Sequence, residues 1–244
     1  FTILNKKKGI LFTIIGIILL LGFIITDLRI KYPIFNLRLF KNKRFSSSNI
    51  ASLISYIATF VVTYILNYHF QYILNLDSQT TGIFLIVTPV IMAIISPFSG
   101  KISDKIDSQK LAAIGMVFVT IAMFILIFLN KSTPLWIIFI AMALQGLGYG
   151  IFSSPNTNMI MSSVPPEETP SASVSITVMR VIGQTMSLAM LTIIFAIIMG
   201  DVPIIPKYFN LLTKSSQIAC IISTILCFIA VIASLVGIGE KNEI

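Results

Sequence analysis

Arg180 stands well inside an apolar run that covers residues 172–199. At 1.5 Å per residue it lies about 12–15 Å from the start of that run. A guanidinium at such depth in lipid costs at least about 2.5 kcal/mol, which marks it as functional by default. Snorkelling of the long side chain to the headgroups is the alternative. Its chemistry would be contact with a substrate, a carboxylate or a row of helix carbonyls. Gln184 lies one turn further on, and Ser173, Thr177 and Ser187 extend the same face.

Two other apolar runs carry similar stripes. Asn49, Ser52, Tyr56, Thr59, Thr63 and Asn67 follow one another in steps of three or four. Gln145, Tyr149, Ser153 and Asn156 do the same further along the chain. Residues at these steps share one face of a helix. Such stripes are either interhelical glue, at about 0.6 kcal/mol per hydrogen bond, or the wall of a wet cavity. Three of them in one chain favour the cavity, lined by Asn49, Ser52, Tyr56, Thr59, Thr63, Gln145, Tyr149 and Asn156. Arg180 and Gln184 add an intramembrane charge and its neighbour.

Catalysis finds no footing. An intramembrane enzyme would need paired carboxylates, a histidine cluster or an activated nucleophile. No Asp or Glu lies in the middle of any apolar run, and His69 is the only histidine. Cys220 and Cys227 stand seven residues apart in one run, without a CxxC or Cys/His cluster. No metal site and no cofactor are expected. A proton relay would need an intramembrane carboxylate or histidine, so any proton-carrying residues belong to sequence outside this chain.

The elements that hold these residues follow from composition. The chain is 56% hydrophobic and 11% charged, with a mean hydropathy of +0.97. Soluble domains carry about 25% charged residues. Lipid must therefore replace water around much of this surface. Seven runs are long enough to cross about 30 Å of hydrocarbon: residues 9–25, 46–70, 81–99, 111–129, 135–161, 172–199 and 217–238. They must be helices, because lipid offers no partner for open backbone groups. They are too long and too uniform for barrel strands. The expected fold is an all-α, polytopic membrane bundle of seven transmembrane helices.

The net charge of +8 reflects topology rather than nucleic-acid binding, since the basic residues sit in short loops. Residues 27–45 hold six of them, and residues 101–110 hold Lys101, Lys105 and Lys110. Both segments are expected in the cytoplasm. Lys6, Lys7 and Lys8 then fall outside, against the rule. Gly146 and Gly150 form a GxxxG pair, a spacing that lets helices approach closely. Pro155 and Pro89 are expected to kink their helices, with Pro97 near a helix end. After the first run, the order is polar, weakly polar, apolar, then polar, polar, apolar. That order suggests two triplets, each ending in a lipid-facing helix, as in inverted-repeat transporters.

Four stretches carry a family resemblance: PIFNLRLFKNKRF at 33–45, GKISDKIDSQK at 100–110, GLGYGIFSSP at 146–155, and the run from Val-Pro to Arg and Gly at 164–183. Together they resemble the C-terminal half of fourteen-span multidrug transporters of the major facilitator superfamily, the EmrB/QacA type. The resemblance implies an accessory transmembrane helix at 1–30, a basic cytoplasmic linker at 31–45 and a six-helix C-terminal bundle at 46–244. It implies a cavity lined mainly by the second and fifth runs, with the fourth and seventh peripheral. It also implies a cytoplasmic latch at Gly100, Asp104 and Lys105, although Asp107 stands where the family pattern has Gly.

The implied activity is alternating-access efflux of small lipophilic compounds or drugs across the cell membrane, driven by protons. Its partners would be the lipid bilayer, the substrate, protons and a missing N-terminal half; no nucleic acid is expected. The chain opens on Phe1 rather than Met, as expected of a piece of a longer protein. The alternative is a truncated, non-transporting membrane protein or interaction partner.

Overall fold

A computed structural model describes residues 35–235 except 201 and 203, together with residues 11, 15, 16, 18, 19, 22, 25 and 26. Most of the first run, and with it the accessory helix of 1–30, lies outside the described residues. Among those residues every regular element is helical. Six helical segments are long and apolar enough to span a membrane.

In chain order the helices are α1 (Lys43–Tyr68), α2 (Ser78–Leu85), α3 (Val87–Ser103), α4 (Ser108–Ile127), α5 (Leu135–Ser162), α6 (Thr169–Ile198) and α7 (Phe209–Leu235). A π-helical turn, His69–Ile73, extends α1. Together α2 and α3 make one span, so the six spans are runs two to seven of the sequence.

Local chemistry sets the boundaries. Asn42 begins α1 by accepting from the amides of Arg44 and Phe45 at 2.9 and 3.2 Å. Helix α1 therefore starts inside the segment read as linker. Asp77 and Asp107 cap α2 and α4 in the same manner. The break between α2 and α3 falls at Ile86, three residues before Pro89. Proline has no N–H for the carbonyl four residues back, here Leu85, and its ring crowds that turn. Pro155 and Pro97, by contrast, sit inside helices that continue through them.

Packing reveals the plan. Helix α5 lies between α3 and α4, while α1 lies between α6 and α7. Helices α4 and α7 pack on each other, and α1 meets α5 across the middle. Exchanging the first three spans for the last three leaves this set of neighbours unchanged. Three spans per repeat force the two repeats into opposite orientations, the inverted plan of many transporters.

Glycines permit the closest approaches. A Cβ at Gly146 would stand 2.5 Å from the Thr88 carbonyl of α3, and one at Gly150 2.9 Å from Ile95 Cβ. On the other side of α5, Gly148 faces Gly115 of α4, its Cβ position 2.6 Å from that carbonyl. Helix α5 is thus held on both flanks by backbone-to-backbone contact. Gly183 does the same for α6 against α1, 2.6 Å from Tyr56 Cβ.

The spans are not equally buried. Helices α4 and α7, expected at the periphery, each bury a stripe of small residues: Ala112, Gly115 and Ala122 in α4, and Ala219, Ser223 and Ala230 in α7. Only their opposite stripes point outward, Ile114, Val117, Ile121 and Phe124 among them. The least buried spans are the α2–α3 unit and α6, at the two ends of the row.

Candidate functional site

The polar stripes separate into two levels. On the basic side of the bundle they join helices. Asn156 of α5 donates through Nδ2 to Ser52 Oγ at 2.7 Å and to the Ser48 carbonyl at 3.3 Å. Ser175 of α6 donates to Asn49 Oδ1 at 3.0 Å, and Asn49 Nδ2 donates to the Phe45 carbonyl at 2.9 Å. Asn49, Ser52 and Asn156 are all buried. They stitch α1 to α5 and α6 and line no part of the cavity described next.

Further along the same faces the helices part around a cavity of about 420 Å³. Its polar lining comes from Tyr56, Thr59 and Thr63 of α1, Thr88 of α3, Gln145 and Tyr149 of α5, and Gln184 of α6. Phe60, Val62, Leu66, Leu85, Pro89, Met92 and Met142 supply the apolar wall. Among the described residues no carboxylate lines it. Gln145 is ten residues into α5, roughly 15 Å along the helix, so the cavity sits near mid-membrane. Its location between four spans, apolar with a few convergent polar groups, is that of a small-molecule site.

Arg180 borders this cavity through Tyr56. Its Nε–H donates to the Tyr56 hydroxyl at 3.1 Å, and the guanidinium lies over the Tyr56 ring at 5.7 Å. Tyr56 meets Tyr149 edge to face at 5.8 Å, and Tyr149 meets Phe152 at 5.9 Å. The Tyr149 hydroxyl is buried; it approaches Ser55, Tyr56 and Thr59 but makes no well-formed hydrogen bond. Gln145 reaches the Thr59 carbonyl only at 3.4 Å. Thr59 spends its own hydroxyl on the Ser55 carbonyl at 2.7 Å.

The loop read as a latch follows the end of α3. Gly100 is pressed against Ser154, whose Oγ would lie 2.9 Å from an added Cβ. Asn158 of α5 donates to Ser103 Oγ at 2.9 Å, fixing the end of α3. Asp104 and Lys105 are exposed beside a shallow depression with Lys101, Ile102 and Ile106. Asp107 accepts from the Gln109 amide at 2.9 Å, with φ −54°. An aspartate fits because this position needs a cap and does not need a left-handed residue.

The segment Leu37–Lys41 is a 3-10 helix folded under this side. Phe40 meets Phe45 edge to face at 5.1 Å, in a cluster with Ile160, Val164, Ala172 and Ile176. Asn42 Nδ2 donates to the Ser163 carbonyl at 3.0 Å and Asn36 Nδ2 to Glu168 Oε1 at 3.0 Å. On the opposite side, Asp77 is held below its ordinary pKa, first by the Thr80 hydroxyl and then by backbone amides of Thr80 and Gln79.

Sequence reasoning missed Thr88, Phe60, Met92 and Met142 in the lining, because single Thr, Phe and Met residues look the same in a core or in a cavity wall. Gly183 carries a signal of its own, a small residue three positions after Arg180 on the helix that packs against α1.

The family model described as Major Facilitator Superfamily matches the chain in two overlapping stretches, residues 8–188 and 48–241. The chain belongs to the major facilitator superfamily. Its members are transporters rather than enzymes. Among its relatives are the riboflavin transporter RibZ of Clostridioides difficile (strain 630), 31% identical over 166 residues, and the uncharacterized transporter YebQ of Escherichia coli (strain K12), 27% identical over 171. These alignments cover 67% and 70% of this chain but only 36% and 37% of the relatives. The multidrug export protein EmrB of Escherichia coli (strain K12) is 21% identical over 174 residues, 69% of this chain and 33% of EmrB. The chain thus spans little more than a third of the relatives it matches.

Proposed function

We propose that this chain is the C-terminal half of a fourteen-span transporter of the EmrB/QacA type, resident in the cell membrane, which moves small aromatic or lipophilic compounds by alternating access. The observation that carries this reading is the mid-depth cavity between α1, α3, α5 and α6, bordered by the two least buried spans. The outer faces of α3 and α6 are where a second half would dock to close the route. Glycine contacts bind α3 and α4 to α5, and α6 to α1, so each group can rock as a unit. The inverted three-plus-three plan suits that motion.

Proton drive remains part of the proposal, with the proton carriers on the N-terminal half, since the lining here has no carboxylate. The drug-efflux reading draws on the likeness to EmrB. A second reading, transport of a flavin-like compound, draws on the likeness to RibZ and on the aromatic wall of Tyr56, Phe60 and Tyr149.

The test is flux in proteoliposomes carrying the full-length transporter under an imposed pH gradient. Thr63 is exposed towards the cavity, so Thr63→Trp fills it without invading a packed interface. Flux of riboflavin and ethidium should vanish in that variant while membrane insertion stays normal. Unaltered flux would sink the reading.

A further inference from the structure

The lining residues Tyr56 and Tyr149, with Arg180 just outside the cavity on Tyr56, offer donors and, among the described residues, no anionic acceptor. Nε–H of Arg180 is committed to the Tyr56 hydroxyl. Its two terminal amino groups take no protein partner among the described residues. Because the Tyr56 hydroxyl accepts from Arg180, its own proton is left to donate elsewhere. Tyr149 is only 9% exposed and its hydroxyl lacks a hydrogen bond. A buried phenol normally finds a partner, and an unpaired one is costly.

We infer that Arg180, with Tyr56 and Tyr149, forms a recognition site for the anionic edge of a planar aromatic ligand, and that the cavity therefore selects anions over cations. This rests on the transport reading above and deepens it. The charge balance favours an anion. Arg180 is exposed beside the cavity, and a guanidinium there repels a second cation and gives an oxyanion charge-assisted hydrogen bonds. Its planar fork matches a carboxylate or phosphate in two bonds at once. The Tyr56 ring under the guanidinium fixes the fork's orientation before a ligand arrives. The ring edges of Tyr56, Phe60 and Tyr149 with Met92 and Met142 provide the slot for the aromatic body.

A carboxylate on the remainder of the transporter could present the same chemistry to Arg180, and the experiment separates the two sources. Full-length transporter in proteoliposomes is given three fluorescent probes under one imposed gradient: fluorescein, anionic; riboflavin, neutral; and ethidium, cationic. The unaltered protein should carry fluorescein with a kcat/KM at least tenfold above that for ethidium. Arg180→Gln should shift that preference at least tenfold towards the cation, Arg180→Lys should restore part of it, and Tyr149→Phe should raise KM for fluorescein severalfold.

A preference for ethidium in the unaltered protein would overturn the inference and leave the transport reading standing. An equal loss for all three probes in Arg180→Gln would overturn it too, since that is the mark of an internal ion pair with a protein carboxylate. No flux of any probe from correctly inserted protein would overturn the transport reading and the inference with it.

Discussion

Ser99 Oγ donates to the Ile151 carbonyl at 2.9 Å, and Ile151 stands four residues before Pro155. Proline supplies no N–H to that carbonyl, so a side chain of α3 takes the place of a backbone group of α5. Neighbouring helices repair proline breaks in membranes in this way. The α3–α5 contact and the passage of α5 through Pro155 are thus one feature. Ser99→Ala should lower stability by about 1–2 kcal/mol, between the mean worth of an interhelical bond and the cost of an orphaned buried acceptor. In a Pro155→Ala background the carbonyl regains a helical donor, and the same change should cost less than half as much. Denaturation of the four proteins in detergent measures the coupling; strictly additive losses would refute it.

The glycine contacts predict a sharp positional contrast. An alanine methyl at Gly146 would meet the Thr88 carbonyl, and one at Gly148 the Gly115 carbonyl, both backbone atoms that cannot swing aside. Overpacking of this kind costs about 1–3 kcal/mol. Gly82 has nothing within 4 Å of its Cβ position, so Gly82→Ala should be neutral or slightly stabilising through helix propensity. Thermal unfolding in detergent should place Gly146→Ala and Gly148→Ala well below Gly82→Ala.

How much of this could be read from the residues depended on what each pattern specifies. Apolar runs gave five of the six described spans to within about four residues, because lipid demands continuous helices, whereas α7 begins at Phe209, eight residues before its apolar run, with Lys214 in its first turns. Steps of three and four gave the polar faces of α1 and α5. They could not say what each face meets at each depth. On one face of α1, Ser52 meets Asn156, whereas Thr63 about three turns later meets open space. That difference is made by how far the neighbouring helices diverge, a tertiary property. Apolar composition marked α4 and α7 as helices outside the cavity, but it could not separate their packing faces, Ala112 and Gly115 or Ala219 and Ala230, from their outward stripes, because small and large apolar residues both score as apolar.

Asp77 predicts a pH response confined to one helix end. Its carboxylate accepts from the Thr80 hydroxyl at 2.6 Å and from the Gln79 and Thr80 amides at 3.0 and 3.1 Å. These bonds lower its folded-state pKa. The stabilisation is therefore complete above the unfolded carboxylate value of about 3.9 and is lost as pH falls through the lower folded value. Exchange protection of the Gln79 and Thr80 amides, corrected for intrinsic rates, should be flat from neutral pH down to that range and then drop. Asp77→Asn can still cap the helix, and its profile should stay flat. Parallel profiles for the two proteins would contradict the assignment.

Asn42 joins the two repeats on the basic side with one amide. Its Oδ1 caps α1, in the first repeat, while its Nδ2 holds the Ser163 carbonyl at the end of α5, in the second. Two substitutions divide these roles. Asn42→Asp keeps an acceptor for the cap but turns a second oxygen towards Ser163, whereas Asn42→Ala removes both bonds. A lost cap costs about 0.5–2 kcal/mol, and an acceptor facing a carbonyl adds a further penalty at the α5 end alone. Lys41 and Lys43 are exposed beside the cap, so limited trypsin cleavage reports opening of the first turn. Cleavage should be slowest in the natural protein and fastest in Asn42→Ala, with Asn42→Asp between them. If Asn42→Asp were cut no faster than the natural protein, the bond to Ser163 would contribute nothing, and Asn42 would act on α1 alone.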